Sequence, residues 1–129
     1  MAHKRTNPDT VAAPGGPYSH SVEIAPGARL IYLAGQTGVG PDGSIPEGIE
    51  AQAENAFTNL KNVLAASGCG FEDVVMLRSY LTDRAHREGY NAVRRRFLGD
   101  IRPASTFLLV SGLARPDLIV EIEAVAAKA

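Results

Sequence analysis

Cys69 is the only cysteine in this 129-residue chain. One thiol excludes an intrachain disulfide and every cysteine-based metal motif. Cys69 sits in Ser67-Gly68-Cys69-Gly70, a turn with no histidine nearby in sequence to activate it, so it reads as an incidental small residue rather than a nucleophile. Charge of one sign is also missing. Lys plus Arg number 13 and Asp plus Glu 14, a net charge of -1. That balance, with aromatics at only 6%, gives no support for binding nucleic acid or an acidic membrane surface. No apolar run approaches the roughly 20 residues that span a bilayer. The basic start, Met1 to Arg5, has no apolar stretch behind it, which argues against a secretory signal and makes a cytoplasmic location the expectation. His3, His20 and His86 lack metal-ligand spacing. There is no phosphate loop, Ser-His-Asp pattern or dinucleotide fingerprint.

What is present describes one globular domain. Hydrophobic residues make up 45% and charged residues 21%, ordinary proportions. A chain of this size buries roughly two-thirds of its unfolded surface, so residues 1–129 form a single domain. Residues 1–17 hold Pro8, Pro14, Gly15, Gly16 and Pro17 and read as an irregular arm, with a short strand at Lys4-Arg5-Thr6.

Residues 19–24 alternate and read as a strand, Pro26-Gly27 as a turn, and 30–34 as a second strand paired with the first in a hairpin. From about Pro46 to Ala66 the period becomes helical, with Ile49, Ala53, Ala56, Phe57, Leu60, Val63 and Leu64 on one face. Pro46 suits the first turn and Gly68 the exit. Residues 74–81 read as a strand. Asp83 caps a second helix over about 85–98, with Tyr90, Val93 and Phe97 inward and Gly99 closing it. Two more strands follow, 105–111 and 119–126. The order β-β-α-β-α-β-β predicts an α+β domain, one mixed sheet with two helices on a single face. Thr106, Leu108 and Val110 on one side of 105–111, and Phe107 and Leu109 on the other, make that strand apolar on both faces. Helices cover only one face of the sheet, so a homo-oligomer is expected to cover the other.

Four segments carry groups suited to chemistry. Gly15-Gly16-Pro17-Tyr18-Ser19-His20 is a rigid turn presenting an aromatic hydroxyl. In Leu33-Ala34-Gly35-Gln36-Thr37-Gly38 a strand ends in glycines that permit close backbone approach. Arg102-Pro103-Ala104-Ser105-Thr106 leads into a strand. In Val120-Glu121-Ile122-Glu123-Ala124 the alternation sets Val120, Ile122 and Ala124 toward the core and Glu121 and Glu123 on the opposite face. A carboxylate on an otherwise central strand needs water, a partner or a function. Singly, each segment reads as structure: turn glycines make turns, and a surface glutamate is solvated.

Together, in order and spacing, GGPYSHSV, LAGQTG, the Asn91 helix, RPAST and VEIEAVA resemble the RidA (YjgF-type) family of reactive-intermediate deaminases, from about Gly15 to Ala126. The resemblance implies a chorismate-mutase-like fold and homotrimers whose three sheets form an internal barrel, with small-molecule clefts between neighbouring subunits. It implies hydrolysis of enamines or imines, such as 2-aminoacrylate, to a keto acid and ammonia, with no metal and no bound cofactor. Carried onto this chain, Glu121 matches the glutamate that positions water or relays a proton. Tyr18 and Asn91 match cleft-lining residues, and the Gly35 amide is placed to bond a substrate oxygen.

The chain departs from that pattern where the substrate is held. Deaminating members carry Pro-Ala-Arg, whose arginine clamps a carboxylate through two parallel hydrogen bonds; here the position is Ser105. A hydroxyl does not replace a bidentate guanidinium. Ala34 replaces a usual serine, and Phe107 a frequent cysteine, so a less polar and less cationic cleft is expected. Arg115, in the loop before the last strand, is the first candidate replacement cation, with Arg102 and Arg78 as others. Arg94-Arg95-Arg96 reads as a solvated run favouring the helix C-terminus. The leading expectation is a deaminase-type hydrolase acting on a substrate divergent from 2-aminoacrylate, with Glu121 as acid/base and Tyr18, Gly35, Asn91, Ser105 and Arg115 binding substrate. The alternatives are a non-catalytic trimer that binds a small metabolite and, with less support, a ribonuclease.

Overall fold

The structure, a computed structural model, describes residues 2–129. Its main sheet has four strands in the order β3-β6-β4-β5. These are β3 (Arg29–Thr37), β4 (Val74–Leu81), β5 (Ala104–Leu109) and β6 (Val120–Lys128). β6 pairs antiparallel with both β3 and β4, while β4 and β5 are parallel. Parallel neighbours need a long crossover. Here it is α2 (Arg87–Leu98), preceded by a 3-10 turn over Arg84–His86. Asp83 caps that turn, its carboxylate accepting from the Ala85 amide at 2.9 Å. Gly99 closes α2 with φ 55, a left-handed conformation that a residue with a Cβ rarely adopts. The predicted α+β architecture holds, and among the described residues no helix is long and apolar enough to cross a membrane.

α1 (Ile49–Ala66) starts three residues after Pro46 and packs on the same sheet face as α2. Phe57, Leu60 and Leu64 of α1, Tyr90 and Val93 of α2, and Leu77, Leu81, Val120 and Ile122 of the sheet are fully buried together. Each such apolar side chain contributes about 1.5–3 kcal/mol of burial free energy. Val63, predicted on the inner face, is instead partly exposed. A buried amide locks the helix to the loops around it. Gln52 donates to Pro46 O (3.0 Å) and Asp117 O (2.8 Å) and accepts from Ile119 N (3.0 Å).

The expected hairpin does not form. β2 (Ser21–Glu23) pairs with β1 (Lys4–Thr6) in a separate two-stranded ribbon. The Gly27 turn is present, but tertiary ties decide the pairing. Ser19 bridges Ala104 at the β5 edge, its amide donating to Pro103 O at 3.0 Å and its hydroxyl to Arg102 O at 2.6 Å. Residues 19–29 therefore cross the end of the sheet, from β5 to β3 at the opposite edge, and do not fold back along β3. His3 anchors the ribbon: its Nδ1 accepts from Ala25 N at 2.9 Å, which leaves Nε2–H to donate to Ala127 O at 2.8 Å.

Among the described residues, no helix covers the second face of the sheet. Arg78 stands between Thr106 and Glu123 in register, and Tyr80 between Leu108 and Glu121. Tyr32 pairs with Val125 on that same face. Tyr32 is 78% exposed, Leu30 54% and Leu108 48%. β5, read from its sequence as buried on both sides, is an edge strand whose Thr106, Leu108 and Leu109 are exposed in the single chain.

Candidate functional site

On the helix side, a cavity of about 890 Å³ opens between the 15–18 loop, α2 and the start of β5. Tyr18, Asn91 and Ser105, three of the residues singled out from the sequence, line it together. Ser19's ties to residues 102–104 hold Tyr18 at the cavity wall. Ser105 and Phe107 point toward α2 because they alternate with exposed Thr106 along β5.

Arg94, whose arginine run reads as solvated in the sequence, lines this cavity. Arg94 is 6% exposed. Its Nη1 donates to Ser105 Oγ at 3.2 Å and its Nη2 to Pro17 O at 3.0 Å. Its Nε is buried without a partner. Among the described residues the ion pairs are Arg96–Glu54, Arg115–Asp117 and Lys128–Asp73, and none neutralises Arg94. The expectation of a solvated arginine run fails at this position for a periodic reason. Tyr90, Arg94 and Phe97 fall at i, i+4 and i+7, one helical stripe, so Arg94 turns inward with the aromatic residues. That spacing was the signal available in the sequence. Burial pushes the Tyr90 hydroxyl pKa up, and the nearby Arg94 charge partly pulls it back.

Three more arginines surround the cavity. Arg87 and Arg95 sit one turn either side of Asn91, and Arg102 enters from the segment before β5. Arg87 stacks its guanidinium over Phe107, 5.2 Å from the ring centroid. Asp100 is the only acidic residue in the lining. The cavity is thus strongly cationic, against the expectation of a less cationic cleft. That expectation followed from position 105 alone, whereas the charge comes from α2.

Glu121 and Gly35 form a second cluster on the uncovered sheet face. A β-bulge between Leu33 and Gln36 brings the Gly35 backbone against Glu121. A Cβ at position 35 would overlap Glu121 Oε2 and lie 2.9 Å from its Cδ. Glu121 is half-buried between Thr37 and Tyr80. Beside it, Tyr80 donates a short hydrogen bond to Glu123. Within one chain Glu121 is two strands from β5 and on the opposite sheet face from Ser105, so it does not reach the Tyr18 cavity.

The remaining candidate cations lie elsewhere. Arg115 is exposed in its loop and 3.6 Å from Asp117; Arg78 is exposed on the uncovered face. Among the described residues, no group of three His, Cys, Asp or Glu side chains is placed to hold a metal ion.

Comparison with known proteins shows the family. The family described as Endoribonuclease L-PSP, which is the RidA (YjgF-type) family, matches residues 9–128. The chain belongs to that family. It is 35% identical over 121 residues to the 2-iminobutanoate/2-iminopropanoate deaminase of Mus musculus, covering 91% of this chain and 87% of that protein. It is 37% identical to Protein DfrA of Myxococcus xanthus, over 98% of this chain and 96% of that one. Among solved structures, YyfB of Yersinia pestis, a Rid-family protein of unknown function, superposes with a TM-score of 0.84 at 34% identity, covering 98% of each chain. As a RidA-family chain, it carries its resemblance segments as two separate clusters: Tyr18, Asn91 and Ser105 in one, Gly35 and Glu121 in the other.

Proposed function

We propose that this chain is an enamine/imine deaminase-type hydrolase, with sites between the subunits of a homotrimer. One observation carries the reading: the chain holds two half-sites that it cannot join by itself. A carboxylate set over a glycine backbone lies on one sheet face, and a cationic cavity lies behind the other. The exposed apolar residues Leu30, Tyr32 and Leu108 supply a surface on which copies associate. Association would set Glu121 and Gly35 of one protomer against the Tyr18–Asn91 cavity of the next. The mouse relative named as an iminoacid deaminase supports the reaction class.

The chemistry follows from these groups. An enamine takes a proton at carbon to become the iminium, the protonated imine. Water then adds to the imine carbon, the water proton passing to Glu121. The resulting carbinolamine receives that proton on nitrogen and expels ammonia as its hydroxyl releases a proton, which replaces the one taken up at carbon, leaving the ketone. Glu121 ends as it began, so the proton count closes. The Gly35 amide donates to a substrate oxygen, and the Tyr18 hydroxyl orients water.

The test is ammonia release from freshly generated 2-aminoacrylate and from larger enamines, with Glu121→Gln as control. Release above the buffer rate, lost by about 100-fold or more in the variant, is expected. Keto-acid binding without turnover would replace this reading with that of a metabolite-binding trimer. RNA cleavage abolished by Glu121→Gln would replace it with that of a ribonuclease.

A further inference from the structure

We infer that Arg94, delivered by α2, is the anion-binding residue of the cavity and that Ser105 positions it, so that the chain grips a substrate carboxylate from the helix rather than from β5. The inference rests on the cavity being the substrate site proposed above.

A guanidinium removed from water is costly unless it is paired. Arg94 is more than nine-tenths buried, and among the described residues its hydrogen-bond acceptors are two neutral oxygens, Ser105 Oγ and Pro17 O, with the neutral Tyr90 hydroxyl also close. A guanidinium has five N–H donors. Two are used, and the Nε–H is orphaned in the wall of a cavity large enough for a small metabolite. No carboxylate of the described residues offsets the charge. A carboxylate ligand supplies both the missing countercharge and the missing acceptors.

Position 105 explains the substitution. A guanidinium at 105 would occupy the space beside Arg94 and repel it. A serine there leaves room and accepts one Nη1–H, which orients the planar fork toward the cavity. Ser105 is thus a positioning residue that acts through Arg94. Arg87 and Arg95, on the neighbouring stripe of α2, raise the local positive potential without being buried.

The experiment is calorimetric binding of pyruvate, a stable keto acid, and of its neutral isostere pyruvamide to the full-length protein. The wild type is expected to bind pyruvate at least tenfold more tightly than pyruvamide. Arg94→Lys keeps a charge and much of the volume and lacks the planar fork. Its pyruvate affinity is expected to fall roughly 30-fold or more, with pyruvamide unchanged. Arg94→Met is expected to lose the discrimination altogether, and Ser105→Arg in that background to restore it. Equal binding of acid and amide by the wild type overturns the inference. So does unchanged pyruvate affinity in either Arg94 variant with a wild-type far-UV spectrum, or a double variant that fails to regain discrimination while melting like the wild type. These readouts need no turnover: pyruvate binding that depends on Arg94 without ammonia release upholds the inference and removes the deaminase reading. Ammonia release with unchanged KM in Arg94→Lys does the reverse.

Discussion

Glu121 lies over Gly35 so closely that no side chain fits between them. Gly35 has no positive φ, so the requirement for glycine is one of space and not of backbone conformation. Two residues 86 positions apart are thereby matched as a pair: the bulge in β3 makes the hollow, and β6 places the carboxylate in it.

Gly35→Ala is therefore expected to move the Glu121 carboxylate and leave the fold intact. Deaminase turnover should fall by about 100-fold, approaching that of Glu121→Gln. Because both residues lie outside the helix-covered core, the melting temperature should change little. Kinetics with parallel thermal melts check this; a fully active Gly35→Ala would show that the carboxylate position does not matter.

The uncovered sheet face predicts assembly. Leu108→Asp places a charge on the uncovered sheet face, beside Tyr80, in the proposed interface. Sedimentation should show a trimer for the wild type and monomer for the variant at micromolar concentration. A monomeric wild type would contradict the association on which the joined site depends.

Gln52 predicts a large local stability effect. Gln52→Leu leaves two carbonyls and one amide without their partner. The expected cost is about 2–4 kcal/mol, read from denaturant unfolding. A loss below about 1 kcal/mol would mean that water replaces the amide.

Tyr90 predicts alkaline weakening. Its hydroxyl pKa is raised above the ordinary 10.0, chiefly by burial. The unfolded state then loses this proton at lower pH than the folded state does. Stability from this source is complete below about pH 10 and declines as pH rises through the folded value. Tyr90→Phe should flatten that decline and cost about 1 kcal/mol at neutral pH through the lost Ser79 hydrogen bond. Tyr80 is also raised, first by its hydrogen bond to Glu123, but it is far more exposed. Tyr80→Phe should alter the slope less. An alkaline slope unchanged in Tyr90→Phe would assign it elsewhere.

Periods and breakers made both helices and all four main-sheet strands legible in the sequence. An apolar stripe of period 3.6, a strand alternation and a capping aspartate each act within a few residues, and local chain geometry enforces them wherever the element lies. The alternation of Val120-Glu121-Ile122 likewise puts Glu121 on the face opposite the core. The pairing of β2 was decided elsewhere, by Ser19 bonding to residues 102–104, more than 80 positions away. Arg94 was hidden for a related reason. Three consecutive arginines read as a solvated run; the Tyr90–Arg94–Phe97 stripe marks the first of them as inward, but only packing of α2 on β5 gives it Ser105 as a partner. Local pattern thus determined the elements and their faces, because dihedral preference and side-chain direction are short-range properties. Tertiary structure alone decided which strand pairs with β2, what fills the space beside Ser105 and how close Gly35 comes to Glu121, because those contacts join residues that chain geometry leaves independent until the core closes.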